Sequence, residues 1–149
     1  PAWASGIGEA LEEEPRLPRL HGVLLNPGLP SPTGAVYRAY DAAPAGDADR
    51  PQSPADWNVA SVIDWLATQR NDLEAPALAV TPGIEEALAA MRAAPGCRLT
   101  RMSGSGATVF GLFDDHAAAI EAAFALDRPG WWARPVVLGA PDIEPRAVI

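Results

Sequence analysis

The segment Met102-Ser103-Gly104-Ser105-Gly106-Ala107-Thr108 sets two glycines two residues apart among serines. Glycine reaches positive φ at no steric cost, and a loop of this kind can point backbone N–H groups inward as an anion-binding nest. The same residues can equally make a tight hairpin that holds no ligand. A strand pattern follows the glycines here, whereas the dinucleotide fingerprint and the Walker phosphate loop both open a helix. The segment is therefore neither of those.

A second group of candidates follows the hydrophobic run at 21–26. Asn26-Pro27-Gly28 and the stretch Thr33 to Tyr37 sit at the carboxyl end of a strand, a common place for ligand contacts. Tyr37 offers a ring for stacking, and Thr33, one helical turn earlier, falls on the same helix face. The plainer reading is a turn followed by a helix cap. Asn71-Asp72-Leu73-Glu74 offers carboxylates but reads first as a capping device with acids in the first turn. Glu12-Glu13-Glu14 reads as a solvated face, and His21, with no carboxylate partner in view, reads as structural. No Ser-His-Asp or Cys-His set and no paired-carboxylate acid/base site can be assembled.

Composition narrows the chemistry. The 149 residues carry 19 acidic and 11 basic side chains, a net charge of −8. A domain so charged repels a phosphate backbone, which argues against nucleic-acid binding. Every basic residue is Arg, so a Walker lysine, a Schiff base and a lysine base are all excluded within this chain. The single cysteine, Cys97, excludes an internal disulfide and a cysteine zinc site. His21 and His116 lie far apart in sequence and lack metal-ligand spacing. No apolar run approaches the roughly 20 residues that span a bilayer, and no secretory signal is visible. A chain opening on Pro1 is expected to be part of a longer one.

The elements that must position these residues follow from periodicity and punctuation. Residues 1–20 read as a loop with an acidic helical patch from Glu9 to Glu14. Residues 21–26 read as a buried strand ended by Pro27-Gly28. Thr33 is placed as the N-cap of a helix from Gly34 to about Asp41, with Val36, Tyr37 and Tyr40 on one side. Residues 42–56, rich in Pro, Asp and Ala, read as a mobile loop. A helix over 57–69 presents Val59, Val62, Ile63 and Leu66, with Asp56 as its cap. Asn71-Asp72 opens another helix with Pro76 in its first turn. Thr81, as cap, and Pro82 restart it, and Ile84, Leu88 and Met91 follow at helical spacing. Strands at 98–102 and 107–113 flank the glycine loop, too tightly joined for a parallel crossover. His116 to Leu126 is a helix capped by Asp114 or Asp115 with Ile120 and Phe124 facing inward. Residues 132–138 form a last strand, put at a sheet edge by Pro135. The result is an α+β fold, a small antiparallel sheet with helices on one face.

The ordered segments Gly6-Ile7-Gly8-Glu9, VLLNPG (23–28), SPTGAVYRAYD (31–41), RNDLEAPALAVTPGIEEAL (70–88) and RMSGSGATVFGLFDD (101–115) carry a resemblance. Together they resemble the carboxyl-terminal half of the 4-diphosphocytidyl-2-C-methyl-D-erythritol kinases, a GHMP kinase family of the non-mevalonate isoprenoid pathway. SGSGATVF is common to the superfamily, while the NPG…T…Y segment with RNDLE narrows the match to this family.

The resemblance implies a ferredoxin-like GHMP kinase C-terminal domain over 1–149. It also implies an amino-terminal ATP-binding domain that this chain lacks and that would be its partner. That domain would carry the glycine-rich ATP loop, the catalytic Asp and an active-site Lys. No catalytic or metal-binding residue is then expected in this chain, ATP and Mg²⁺ being held mainly by the other half. Ser103, Gly104, Ser105 and Gly106 match the family motif that lies beside the ATP loop. Thr33 and Tyr37 match positions bordering the small-molecule cytidyl substrate, where the family's aromatic packs on cytosine. The implied setting is cytoplasmic, without nucleic acid or membrane, and the half-enzyme alone is expected to be inert. A homoserine- or mevalonate-type kinase of the superfamily, and a non-catalytic ligand-binding α+β module, stay open as alternatives.

Overall fold

The computed structural model describes residues 1–6, 8–46 and 49–139. Ile7 of the Gly6-x-Gly8 motif, Asp47 and Ala48 of the 42–56 loop, and residues 140–149 lie outside the described residues.

Two short strands, β1 (Ala2–Ser5) and β2 (Ala10–Glu13), pair antiparallel, with Ala2 opposite Glu13 and Ser5 opposite Ala10. The acidic helical patch anticipated at 9–14 is thus corrected to a hairpin arm. Gly6 and Gly8 adopt φ of 67° and 99°, which turns the chain back and favours strand pairing over a helix start. The three glutamates also divide. Glu12 and Glu13 are exposed, but Glu14 is buried, so the solvated face does not include it.

The main sheet has four antiparallel strands: β3 (Leu20–Asn26), β4 (Cys97–Met102), β5 (Val109–Phe113) and β6 (Trp132–Leu138), in the order β4-β5-β3-β6. Helices α1 (Thr33–Ala42), α2 (Val59–Ala67), α3 (Glu74–Val80) and α4 (Ile84–Ala93) lie between β3 and β4, and α5 (His116–Leu126) between β5 and β6. This is the split βαβ arrangement of ferredoxin-like folds, with β5 inserted between β3 and β4. Pro135 sits on β6, an edge strand as expected, where its missing N–H is harmless.

Alternation along the strands separates two cores. Val23, Leu25, Met102, Val109 and Phe113 join Ile84, Leu88 and Met91 of α4 and Ala119, Ala122 and Ala123 of α5 in one buried cluster. Leu20, Leu99 and Leu112, of opposite parity, pack against Val62 and Ile63 of α2 with Val59 and Leu66 beside them. The helices expected on one face are there, and α2 adds cover to the other. Burying each such aliphatic side chain stabilises the fold by about 1.5–3 kcal/mol.

Helix α5 begins and ends where the pattern placed it, and Asp115 caps it by accepting from Ala118 N–H. Its inward face is corrected, however. Ile120 and Phe124 are 45% and 85% exposed, because the alanine stripe lets the helix lie close on β3 and β6. Three caps move as well. Asn58, not Asp56, caps α2, accepting from Ser61 N–H, while Asp56 accepts from Asn58 N–H. Pro32 holds the N-cap position of α1, so Thr33 is its first helical residue. Gly83 holds that of α4, and the Thr81 hydroxyl instead donates to Pro30 O at 2.9 Å.

The described parts of the 42–56 loop are fastened. Trp65 Nε1 donates to Gln52 O, Arg70 to Gly46 O and Arg50 to Glu12, and Pro54 is buried. His21 and His116, distant in sequence, have ring centroids 5.4 Å apart, and His21 Nδ1 is buried with no hydrogen-bond partner among the described residues.

Candidate functional site

The turn between β4 and β5 is closed by its own backbone. Ser103 N–H donates to Thr108 O and Gly106 N–H to Ser103 O. Gly104 and Gly106 take φ of 56° and 85°, the left-handed region that glycine enters without strain. The two glycines differ in surroundings. A Cβ on Gly104 would meet nothing within 4 Å, whereas one on Gly106 would approach Met102 Sδ at 2.9 Å, Ile84 Cδ1 at 3.1 Å and Ser31 Oγ at 3.2 Å. Gly104 thus faces open space and Gly106 is packed on the core. The N–H groups of Gly104 and Ser105 donate to no group among the described residues, which leaves them able to hold an anionic oxygen.

Two segments grip this loop from opposite sides. From the α1 side, Ser31 Oγ donates to Ser105 O at 2.6 Å, and Thr33 Oγ1 lies 3.0 Å from Ser105 Oγ. The chain between Asn26 and Thr33 is brought there by a local device: Asn26 Oδ1 accepts from Gly28 N–H, and Asn26 Nδ2 donates to Thr108 Oγ1. From the α3 side, Asn71 Nδ2 donates to Met102 O at 3.0 Å and Gly104 O at 2.8 Å, and Glu74 Oε2 accepts from Met102 N–H. Arg101, next to the loop, donates to Leu66 O and Gln69 O at the end of α2. Burial lowers the Arg101 guanidinium pKa from its ordinary value, and the Glu74 carboxylate opposes that shift.

Of the residues singled out from sequence, Thr33, Ser103, Gly104, Ser105 and Gly106 are gathered in one place. Thr33 arrives through a hydroxyl contact with Ser105 rather than as a helix cap. Tyr37, one turn further along α1, is half exposed, while Val36 beside it is fully buried. Tyr37 is therefore not a core filler. Ser31, Asn71 and Arg101 escaped the sequence reading as site residues. RNDLE drew notice, but Asn71 bonds carbonyls 31 and 33 residues away, a pairing with no local signal.

Other chemistry lies elsewhere. Hydrogen bonds from the Arg16 guanidinium, helped by Trp3 Nε1 and Arg16 N–H against the cost of burial, hold the Glu14 carboxyl down at about 2. Burial raises the Cys97 thiol, which is bonded to Leu99 O and Thr100 Oγ1. No group of three or more His, Cys, Asp or Glu able to hold a metal ion occurs among the described residues, and no helix among them is long and apolar enough to cross a membrane. A cavity of about 560 Å³ between the β1–β2 hairpin and residues 49–51 is lined by Trp3, Leu11, Glu12 and Arg50 and does not include the glycine loop.

Comparison with known proteins gives this geometry a context. Residues 58–130, which include the glycine loop, match the family described as GHMP kinases C terminal. A protein of Caulobacter sp. (strain K31) named 4-diphosphocytidyl-2-C-methyl-D-erythritol kinase is 47% identical over 146 residues, covering 95% of this chain and 50% of that protein. A protein of the same name from Methylobacterium radiotolerans is 52% identical over 137 residues, covering 89% of this chain and 46% of that protein. A crystal structure of 4-(cytidine 5'-diphospho)-2C-methyl-D-erythritol kinase aligns with a TM-score of 0.74 at 36% identity, over 94% of this chain and 50% of that one. The chain spans about half the length of the curated relatives it matches. Over residues 58–130, and in the ferredoxin-like fold that holds them, this chain carries a GHMP kinase C-terminal domain.

Proposed function

We propose that this chain is the carboxyl-terminal half of an ATP-dependent kinase that phosphorylates a hydroxyl of 4-diphosphocytidyl-2-C-methyl-D-erythritol. The observation that carries the reading is the contact of Thr33 with Ser105. It joins the segment expected to border the substrate to the loop expected to border the nucleotide, as a transfer between the two requires. The names of relatives near 50% identity supply the substrate. Phosphoryl transfer rests on positioning and charge neutralisation rather than covalent work by the protein. In that division of labour, the open N–H groups of Gly104 and Ser105 hold a phosphate oxygen, Thr33 orients the polar end of the substrate and the Tyr37 ring packs on cytosine. ATP supplies the transferred γ-phosphoryl, and Mg²⁺ neutralises its charge. Both are held mainly by an amino-terminal ATP-binding domain, which also brings the catalytic Asp and Lys. The reaction is placed in the cytoplasm, where the unpaired Cys97 suits a reducing compartment.

The test is domain complementation. ADP release from ATP, Mg²⁺ and the cytidyl substrate is measured for the 149-residue chain alone. It is then measured for the same chain joined behind the amino-terminal half of the Caulobacter sp. relative. The joined protein is expected to turn over and the chain alone is not. Turnover by the chain alone, or none by a folded joined protein, contradicts the proposal.

A further inference from the structure

The side chain of Asn71 has all its polar atoms engaged. Its Oδ1 accepts from Leu73 N–H at 3.1 Å, and its Nδ2 donates to Met102 O at 3.0 Å and Gly104 O at 2.8 Å. The first bond fixes which way the amide faces, and the other two fasten the start of the glycine loop. Glu74 completes the hold by taking Met102 N–H at 2.8 Å, so both backbone groups of Met102 that face away from β5 are satisfied from the α3 side. Met102 ends the edge strand β4, where outward-facing backbone groups otherwise meet only water.

The loop carbonyls are pinned at Met102 and Gly104 on one side and at Ser105 by Ser31 on the other, while the Gly104 and Ser105 N–H groups have no partner among the described residues. We infer that Asn71 is a positioning residue for phosphoryl transfer. By binding two loop carbonyls it presets the Gly104 and Ser105 N–H groups outward, toward a phosphate oxygen. The inference rests on the reading of the loop under Proposed function, and it adds a residue whose sequence context suggests only a turn device.

Asp is as good as Asn at a turn or cap acceptor, but it has no N–H to give, and its second oxygen would oppose two carbonyl oxygens. Asn71→Asp therefore separates the two roles. A cap residue tolerates the change, while a clamp does not. Backbone ¹⁵N relaxation of the 149-residue chain is the first readout. Gly104 and Ser105 are expected near the rigid value of about 0.85 in the parent chain and below about 0.6 in Asn71→Asp, with residues 75–80 unchanged. Asn71→Ser, which keeps a cap acceptor in a smaller side chain, is expected to loosen the same two residues. The second readout is kinetic, in the chain joined to the relative's amino-terminal half. Asn71→Asp should lower kcat/KM for ATP by about 10- to 100-fold, the effect of losing two hydrogen bonds to one segment, and leave KM for the cytidyl substrate within about twofold.

Unchanged loop order in both variants overturns the inference. So does unfolding of both, since Asn71 would then serve the fold as a whole, and so does an equal rise in both KM values. If the joined protein with Asn71 intact is inactive, the kinase reading fails, while the relaxation measurement still decides whether Asn71 sets the loop.

Discussion

Tyr37 and Glu14 carry opposite environments at the residue scale, one turned to solvent and one drawn into the protein. Tyr37 is half exposed on α1, and its ring lies one helical turn beyond Thr33, which touches the glycine loop. A ring packed on a base contributes about 1–3 kcal/mol. In the joined kinase, Tyr37→Ala is expected to raise KM for the cytidyl substrate roughly 5- to 150-fold with little change for ATP, and Tyr37→Phe to be nearly silent. A fall in melting temperature with unchanged KM would assign Tyr37 to packing. Glu14 makes the opposite move, into the protein, because Arg16 and Trp3 follow it there. Its carboxyl is held at about 2, below its ordinary value of 4.5. A depressed carboxylate stabilises the folded state above the unfolded value and loses that contribution as pH falls through the folded one. Melting temperature should drop between pH 4.5 and about 2, and Glu14→Gln should lower it at pH 7 while flattening that acid limb. Parallel acid limbs for the parent and Glu14→Gln would show that the pair does not matter to stability.

At the scale of elements, the glycine loop and α5 carry the clearest expectations. Gly104→Ala places a methyl in open space and costs only the backbone penalty of a left-handed residue, about 1–2 kcal/mol, or a few degrees of melting temperature in a domain this size. Gly106→Ala adds contacts under 3.3 Å with Met102, Ile84 and Ser31 and should cost distinctly more, so differential scanning of the two variants orders them. Equal losses would mean that Gly106 is not packed as described. On α5, Phe124 is 85% exposed, so Phe124→Ser should shift the melting temperature by no more than about 2 °C. A larger loss would return Phe124 to the core face. The same elements mark what sequence could disclose. The ends of α5, the edge position of β6 and the α4 stripe of Ile84, Leu88 and Met91 follow from local periodicity and proline chemistry. The inward face of α5 did not, since nine apolar side chains among its eleven residues leave no polar stripe to mark the outside. The β1–β2 hairpin was hidden because Glu-rich segments read as helix until Gly6 and Gly8 turn the chain. At the site, the glycine loop and Thr33 were legible as motifs, whereas the grip of Asn71, Ser31 and Arg101 depends on partners distant in sequence.

At the scale of the whole molecule, the chain spans about half the length of relatives that are named as one kinase, and its net charge of −8 is carried without a single lysine. In the proposed kinase, a half that holds the glycine loop, Thr33 against it and a half-exposed Tyr37 sets specificity for a reaction whose catalytic groups come from the other half. That division is the central claim. It is tested most directly by kcat/KM of the joined protein on a substrate panel: 4-diphosphocytidyl-2-C-methyl-D-erythritol, homoserine and mevalonate, each with ATP and Mg²⁺. The account predicts turnover of the cytidyl substrate, with homoserine and mevalonate at background, and a fall in kcat/KM for the cytidyl substrate of roughly 5- to 150-fold in Tyr37→Ala. Preference for homoserine or mevalonate, or a cytidyl preference indifferent to Tyr37, would contradict it.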